Sequence, residues 1–542
     1  MRLYPSAYII ALATVALHLA FCHRFGYYRD ELYFIDCAKH LAWGYVDQPP
    51  LTPFVTWLTA PLGYPVWALR LLPGVLCGVT VLFGCAIARE FGGRAFAQTL
   101  TALAIALAPG LIGIAYGLST EMLSPTAWTI LIYLTVRLVK TENARLYIPI
   151  ALVVTIAMYA KYSIAACAIA LVVGLAVTGH GKLLRSRWLV VGVALTILLV
   201  LPNALWQIRH GLPMLEVIHN DQLNRHALAN GMADESPNRW INAIYMFALQ
   251  FAYNNPLFAP VWIWGLIWLW NRTFSSFDSA RDARGVYPER ARASRRAQDD
   301  KRYPYRYITV AYLLLLGLLI ISIGRGYYIQ GMYPALFAAG AVAIDGTIAA
   351  KAHWLKPAIL AAAFIAGLPL FPLSLPILPL PQYMAYERAI GLSRPAPPNN
   401  ARHLINPMFA DQLGWKTMTQ TVAGAYWSLP AAQRKITAVF ADRYAYAGAL
   451  NYYGPRYGLP AVISPNNQYY LWGTRGYSGS SMLAVGATDY WLLLHWFGSV
   501  KQVAVYRNDY RWMLEGPLPI YICTHPRVPL AVIWPNLKYY GL

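Results

Sequence analysis

Charged residues are scarce in this chain of 542 residues. Only 12% of them are Asp, Glu, Lys or Arg, whereas soluble domains carry about 25%. Hydrophobic residues make up 58%, and many stand in long runs, each of which predicts a transmembrane helix once it reaches about 18 residues. The composition therefore excludes an ordinary soluble protein and predicts a polytopic integral membrane protein.

Cysteines are also few, and no two of them form a CxxC pair or a cluster with metal-site spacing. This excludes a disulfide framework and a zinc site of the usual kind, and it predicts small buried side chains instead. The six cysteines are Cys22, Cys37, Cys77, Cys85, Cys167 and Cys523.

A signal-peptide cleavage pattern is missing after the first apolar run. The run covers about Tyr8 to Phe21 and follows Arg2, but residues 22–25 (CHRF) do not have the small-x-small pattern that signal peptidase needs. We therefore predict that the run is an uncleaved first helix.

Acidic residues are outnumbered by basic ones, 23 against 44, which gives a net charge of +21. Such an excess can indicate nucleic-acid binding. Here the positive charges cluster in alternate short loops, the most basic being 272–306, as expected of cytoplasmic loops under the positive-inside rule. The distribution favours a membrane topology over a nucleic-acid partner.

The apolar runs predict about eleven transmembrane helices within residues 1–379, with the N-terminus in the cytoplasm. The first long loop on the outer side is 23–64, and a second outer segment is 203–255. An odd number of spans places residues 380–542 outside the cytoplasm. Short β-rich runs at 436–440, 461–463 and 503–506 predict that this region is a small soluble α/β domain.

The first outer loop carries two adjacent carboxylates, Asp30 and Glu31, directly after a membrane span, and Asp47 follows further on. Carboxylates at a membrane boundary are costly to desolvate and are usually kept for function or for pairing. An alternative is that Asp30 and Glu31 only cap an interfacial helix.

One reaction fits carboxylates at this position, the transfer of a sugar from a lipid phosphate to a hydroxyl. Polyprenyl phosphate is already a good leaving group, so the enzyme needs one carboxylate as general base and cations to hold the phosphate. We predict that Asp30 is the base of an inverting transferase, with Glu31 as the second catalytic candidate.

Polar residues on three later outer turns supply the remaining groups. Glu121 lies on one turn, Lys161 on the next, and Arg325 precedes two tyrosines on the last. Each also has a structural explanation, since long cations snorkel to the interface and tyrosines populate the aromatic belt. Taken together with the first loop, they predict a phosphate site at Lys161, Arg325, Tyr327 and Tyr328, and acceptor or positioning roles for Asp47 and Glu121.

A divalent metal ion is left open. The second outer segment contains Arg209, His210, His219 and His226, and a histidine with Asp47 or Glu31 could bind a cation, but no metal-ligand spacing is present. Surface histidines are the alternative. The candidates for a metal site are Asp47, Glu121 and His219.

Several segments resemble a known family. RDELY at 29–33 followed by VDQPPL at 46–51 is similar to the first periplasmic loop of the bacterial relatives of protein O-mannosyltransferases and lipid A aminoarabinose transferases, which have the GT-C fold. Further similar segments are 161–163 (KYS), 201–207 (LPNALWQ), and 327–329 (YYI) with 333–336 (YPAL).

The resemblance implies a catalytic Asp that falls on Asp30, an acid before the fourth helix that falls on Glu121, and a basic residue before the Tyr-Tyr pair, here Arg325. In the aminoarabinose transferases an acid and a Lys precede the Pro-Pro pair, whereas this chain has Asp47 and Gln48. The missing Lys speaks against aminoarabinose as the sugar and against a metal site borrowed from those enzymes.

The resemblance and the residues together predict a polytopic GT-C-type helical bundle in the cell inner membrane with a periplasmic active site. Its donor is a polyprenyl-phosphate sugar, and its acceptor is a lipid, a glycan or a protein. One rival is a transporter or flippase of lipid-linked sugars, which the lack of an internal repeat disfavours. Another is a non-catalytic scaffold that presents the C-terminal domain.

Overall fold

The computed structural model of the chain describes residues 2–231, 239–271, 304–322, 324–348, 352–392, 405–487, 489–508, 510 and 517–541, with the side chains of 224–231 and 239–242 excepted. Most of the predicted basic loop 272–306, and the side chain of His226, therefore lie outside the described residues. Up to residue 389 the described chain is almost entirely helical.

The first part of this helical region runs from the first apolar run to the end of the second outer segment. Its helices are α1 (Pro5–Phe21), α2 (Arg29–Lys39), α3 (Leu51–Trp57), α4 (Val66–Glu90), α5 (Ala95–Ala106), α6 (Pro109–Tyr116), α7 (Ser124–Thr141), α8 (Tyr147–Met158), α9 (Ser163–Val177), α10 (Gly181–Leu184), α11 (Arg187–Arg209), α12 (Pro213–Gly231) and α13 (Arg239–Tyr253).

The remaining helices of this region follow the same pattern, and short 3₁₀ turns join several of them. They are α14 (Ala259–Asn271), α15 (Arg306–Ile321), α16 (Tyr333–Thr347), α17 (Leu355–Gly367) and α18 (Leu380–Ala389), and the 3₁₀ segments are Ala60–Leu62, Ala144–Leu146, Pro256–Phe258, Gly326–Met332 and Leu368–Leu373.

Among the described residues, three helices are long and apolar enough to cross a membrane, namely Val66–Glu90, Arg187–Arg209 and Leu355–Leu373. The pair α5 and α6, bent by 57° where Pro109 begins the second helix, would make a fourth. The predicted count of about eleven spans is therefore not confirmed, and with its topology it stays a prediction. Five shorter apolar helices are Pro5–Phe21, Ala144–Met158, Ser163–Val177, Ala243–Tyr253 and Arg306–Ile321.

Large apolar side chains cover the outside of several of these helices. Ile9 and Leu12 on α1 are exposed, as are Val190, Ile197 and Leu198 on α11. Exposed apolar surface of this extent is unfavourable in water and indicates an interaction surface or a lipid environment. It agrees with the predicted location in a membrane.

The C-terminal region contains a four-stranded sheet with the order β1-β2-β4-β3. Its strands are β1 (Thr437–Ala441), β2 (Ser481–Val485), β3 (Phe497–Tyr506) and β4 (Leu518–Pro526); β1 and β2 pair in parallel, and the other two pairings are antiparallel. The helices of this region are α19 (Pro407–Ala410), α20 (Trp415–Trp427), α21 (Ala431–Arg434), α22 (Tyr444–Tyr453), α23 (Gln468–Trp472), α24 (Tyr490–Trp496) and α25 (Leu530–Leu537), with a 3₁₀ turn at Gly454–Tyr457.

The mixture of strands and helices agrees with the predicted α/β domain, although the strands differ in detail. The run at 461–463 forms only an isolated bridge between Ile463 and Phe440, whereas β2 and β4 did not stand out in the sequence. Both carry continuous apolar stretches because the sheet is covered on both faces, which removes the alternation that marks a half-exposed strand.

The C-terminal domain packs on the first outer loop through α22 and α2. Leu32 and Ile35 of α2 share one buried core with Val439 of β1 and Leu450 of α22. The two helices approach so closely that a Cβ at Gly448 would lie 2.9 Å from the backbone nitrogen of Tyr33. This contact brings residues of the C-terminal domain to the start of α2, where the predicted catalytic carboxylates lie.

Candidate functional site

One large cavity opens between the helical bundle and the C-terminal domain, with a volume of about 1020 Å³. It lies where the first outer loop meets the three later outer turns and α12. Seven of the nine residues proposed for function line it, and Glu31 and His219 are not among its lining residues. The seven are Asp30, Asp47, Glu121, Lys161, Arg325, Tyr327 and Tyr328.

Asp30 lies in the first turn of α2 and is half-buried at the cavity wall. Its Oδ1 atom accepts a hydrogen bond of 2.7 Å from the hydroxyl of Tyr444 and lies 3.5 Å from Nε of Arg29. The same guanidinium lies 3.4 Å from Asp411. The carboxylate is thus held at one oxygen on the edge of a cavity, as a general base would be.

Glu31, by contrast, is fully buried and forms a salt bridge with a fully buried Arg70. Nε and one terminal nitrogen of Arg70 each donate to the carboxylate at 2.7 Å, and the backbone nitrogens of Tyr28 and Leu118 donate to it as well. Both oxygens of the Glu31 carboxylate therefore accept hydrogen bonds from within the protein. The salt bridge joins the start of α2 to α4, and the catalytic role of Glu31 stays a prediction.

Lys161 lies between α8 and α9 and forms a salt bridge with Glu121. Its ammonium also lies 4.2 Å from the centre of the Tyr328 ring. Burial alone would lower the pKa of Lys161, but the charge of Glu121 and the neighbouring tyrosines raise it above its ordinary value. The lysine therefore stays protonated and presents a fixed positive charge to the cavity.

Arg325 is the second cation, and it precedes the 3₁₀ turn Gly326–Met332. It donates a hydrogen bond of 3.2 Å to the hydroxyl of Tyr327, whose ring packs edge-on against that of Tyr328, 5.0 Å away. The tyrosine pair thus contacts both cations, because Tyr328 also lies beside Lys161.

Asp47 lies at another wall of the cavity, after α2. It accepts hydrogen bonds from the hydroxyl of Tyr33 at 2.8 Å and from the side-chain amide of Asn467 at 3.0 Å. Burial raises its pKa to about 7, although these two donors favour the charged form.

The raised pKa of Asp47 predicts a pH dependence of stability. Between about pH 4, where an unfolded aspartate ionises, and about pH 7, the folded state binds more protons than the unfolded state, so this residue's contribution to stability falls as pH rises. We expect Asp47→Asn, which cannot ionise, to gain stability relative to the wild type over this range. The check is the thermal unfolding midpoint of both proteins at several pH values, and parallel curves would contradict the expectation.

His210 and His219 of the second outer segment do not line the cavity. His219 is exposed on α12, and His210 is exposed and stacks on Trp206 with 4.0 Å between the ring centres. Within the described part of the chain, no group of three or more His, Cys, Asp or Glu side chains is arranged to hold a metal ion. Asp47 and Glu121 line the cavity, and none of the described histidines is among its lining residues.

Three residues at the site were not singled out in the sequence. Tyr444 and Asn467 come from the C-terminal domain and bind Asp30 and Asp47. No local pattern marks them, because their partners lie more than 400 residues away in the chain. Arg70 could have been recognised from the sequence as a residue that pairs with a buried acid. It is a lone Arg within the apolar run 66–88, and its charge is costly to desolvate unless it is paired.

Known proteins resemble this chain in part of its sequence and in its whole fold. A family model described as dolichyl-phosphate-mannose-protein mannosyltransferase matches residues 47–206, a segment that contains Asp47, Glu121 and Lys161. The crystal structure of ArnT from Cupriavidus metallidurans bound to undecaprenyl phosphate has a TM-score of 0.55 and 14% sequence identity, and the match covers 95% of this chain and 97% of that one. The resemblance to this superfamily is confirmed.

The same enzyme in the apo state matches with a TM-score of 0.55, 15% identity and the same coverage. No curated protein sequence matches the chain. At this low identity the two structures establish the fold, a GT-C arrangement with its C-terminal domain, over nearly the full length of both chains.

Proposed function

We propose that this protein is a membrane glycosyltransferase that moves a sugar from a polyprenyl-phosphate donor to a hydroxyl acceptor. The observation that supports the proposal most strongly is the single cavity lined by a carboxylate, Asp30, and by two cations, Lys161 and Arg325. The sequence match to a mannosyltransferase family and the fold of a protein that binds undecaprenyl phosphate support the same activity.

In the proposed reaction, Asp30 takes the proton of the acceptor hydroxyl. The acceptor oxygen then forms a bond to the anomeric carbon of the sugar while the bond from that carbon to the phosphate oxygen breaks. The electron pair leaves with the polyprenyl phosphate, whose negative charge Lys161 and Arg325 stabilise. Attack from the side opposite the phosphate inverts the anomeric configuration.

The cavity suits a lipid-linked donor in size and in lining. About 1020 Å³ lies at the upper end of ordinary ligand pockets, which hold about 300–1,000 Å³. Its wall combines the charged groups with apolar side chains such as Ile114, Ile218 and Leu373. We assign the polar part to the phosphate and sugar, with Tyr327 and Tyr328 beside the phosphate and with Asp47 and Glu121 as positioning groups, and the apolar part to the first isoprene units.

We further propose that the protein lies in the cell inner membrane with the cavity and the C-terminal domain on the periplasmic side. The excess of Lys and Arg on the opposite ends of the helices supports this orientation. At that end Lys140 pairs with Glu90 at 2.7 Å, and Lys356 pairs with Asp345 at 2.6 Å. Reporter fusions after residues 45 and 460 should be active only as periplasmic reporters.

The activity can be tested with purified protein in lipid nanodiscs. The donors are a panel of radiolabelled polyprenyl-phosphate sugars, and the acceptors are membrane extracts separated into lipid, glycan and protein fractions. We expect release of polyprenyl phosphate together with label in a new product. In a parallel assay with the protein in sealed vesicles, movement of label across the membrane without a new product would instead indicate a transporter. No change with any donor in either assay would contradict the proposal.

Donor binding should depend on Arg325. Replacing it with Met removes a charged donor, which contributes about 1.5–3 kcal/mol, so we expect roughly 10- to 100-fold weaker binding of undecaprenyl phosphate. Arg325 suits the test better than Lys161, whose loss would leave Glu121 without its salt bridge. Binding can be measured by titration in nanodiscs.

Arg209→Met is the matched control for this binding test, because Arg209 is exposed at the end of α11 and does not line the cavity. It should bind undecaprenyl phosphate like the wild type. Equal affinities for the Arg325 variant and the control would remove Arg325 from the proposed phosphate site.

A further inference from the structure

The C-terminal domain supplies hydrogen-bond donors to the carboxylates of the first outer loop. Tyr444 donates to Asp30 at 2.7 Å and Asn467 donates to Asp47 at 3.0 Å. A third carboxylate, Asp36, accepts from Tyr469 at 2.6 Å and from Asn451 at 2.7 Å. The C-terminal domain therefore forms part of the cavity wall, where Tyr444 is one of the lining residues.

We propose that Tyr444 is a positioning residue that orients Asp30 for its role as general base. The proposal rests on the function proposed above and adds to it a specific contribution of the C-terminal domain. Its hydroxyl binds Oδ1, the same oxygen that faces Arg29. Within the described part of the chain, this leaves Oδ2 as the oxygen available to the acceptor hydroxyl.

The surroundings of Tyr444 restrict it to this contact. The side chain is buried at the first turn of α22, and its ring packs against that of Tyr33, 5.1 Å away. The backbone of α22 lies against α2 at Gly448, which limits how far the hydroxyl can move from Asp30. Burial also raises the pKa of Tyr444 well above its ordinary value, so the phenol keeps its proton and acts as a donor.

Orientation matters for a base, because proton abstraction requires one oxygen at hydrogen-bond distance from the acceptor hydroxyl. A displacement of about 1 Å can cost about 100-fold in rate. Among the described residues, Asp30 without the Tyr444 hydroxyl would keep the contact to Arg29 alone, and Arg29 is shared with Asp411. The carboxylate would then sample several orientations.

The test compares Tyr444→Phe with Tyr452→Phe. Tyr452 lies on the same helix, and its hydroxyl bonds that of Tyr27 at 2.6 Å across the same interface without touching a carboxylate. Both variants lose one interdomain hydroxyl. We expect kcat to fall roughly 10- to 100-fold in Tyr444→Phe, with an unchanged KM for the donor, and to stay at the wild-type level in Tyr452→Phe.

The outcomes separate a positioning role from a structural one. An equal loss of kcat in both variants, or a loss of undecaprenyl-phosphate binding or of the folded state in Tyr444→Phe, would show that the hydroxyl only holds the interface and would overturn the proposal. Wild-type kcat in Tyr444→Phe would overturn it as well. If the wild type itself transfers no sugar, the proposed function fails, which is a different result.

Discussion

Asp30→Asn is expected to lower sugar transfer by at least about 100-fold, because a general base contributes about 10²- to 10⁴-fold to the rate and the amide cannot accept the acceptor's proton. The substitution preserves size, and the amide oxygen can still accept the hydrogen bond from Tyr444. The variant should therefore fold, insert and bind undecaprenyl phosphate like the wild type. The measurement is turnover with saturating donor, together with donor binding by titration.

The matched control is the same substitution at Asp489, an exposed residue that caps the first turn of α24 and does not line the cavity. Asn also caps helices well, so Asp489→Asn should leave turnover unchanged. If Asp30→Asn keeps the wild-type rate, another group is the base, and Asp47 would be the next carboxylate to replace.

The second large effect concerns stability. Replacing Arg70 with Met should destabilise the folded protein by about 3–5 kcal/mol, because it leaves the fully buried Glu31 without its counter-charge. It also removes the donor to the backbone oxygen of Gly26, 2.7 Å away, in the turn that leads into α2. The expected result is a markedly lower thermal unfolding midpoint, measured by fluorescence in detergent.

The control for this prediction is Lys140→Met, which breaks the partly exposed salt bridge to Glu90. Pairs near the surface contribute about 0–1 kcal/mol, so its unfolding midpoint should change little. The double substitution Arg70→Met with Glu31→Leu should recover part of the lost stability, since apolar groups can replace a buried ion pair. Equal midpoints for Arg70→Met and Lys140→Met would contradict the importance of the buried pair.

The positions of several helix breaks followed from the sequence because polar residues interrupt apolar runs there. Lys161 was expected on a turn, and it lies between α8, which ends at Met158, and α9, which begins at Ser163. The turn before helix α7 was found for the same reason. The bend between α5 and α6 was not predicted, because no charged residue interrupts residues 95–115 and only Pro109 marks the bend.

The larger difference between the predicted and the observed structure concerns the second outer segment. It was expected as an outer region without assigned helices, yet α12 occupies residues 213–231 of it and lines the cavity through Val217, Ile218 and Asp221. Its sequence mixes polar and apolar residues without a clear helical period, so only tertiary contacts define it. One such contact is the salt bridge of Glu216 with Lys538, 2.8 Å long, at the far end of the chain.

The charged cavity residues could be proposed from the sequence because each lies in the first loop or on a polar turn between apolar runs. What the sequence could not separate was Asp30 from Glu31. Adjacent residues on a helix point in different directions, so one carboxylate faces the cavity and the other faces Arg70 in the interior. Their different surroundings depend on the rotation of α2, which packs closely against α22.

The hydrogen bond between Asp30 and Tyr444 joins residues 414 positions apart. At a synthesis rate of about 5–20 residues per second, the ribosome needs roughly 20–80 s to make the second residue after the first. During that time the nascent chain has made its early helices, but Asp30 lacks the hydroxyl of Tyr444 as a partner. Under the proposed function, incomplete chains should therefore transfer little sugar, and full activity should begin only after the last third of the polypeptide has folded.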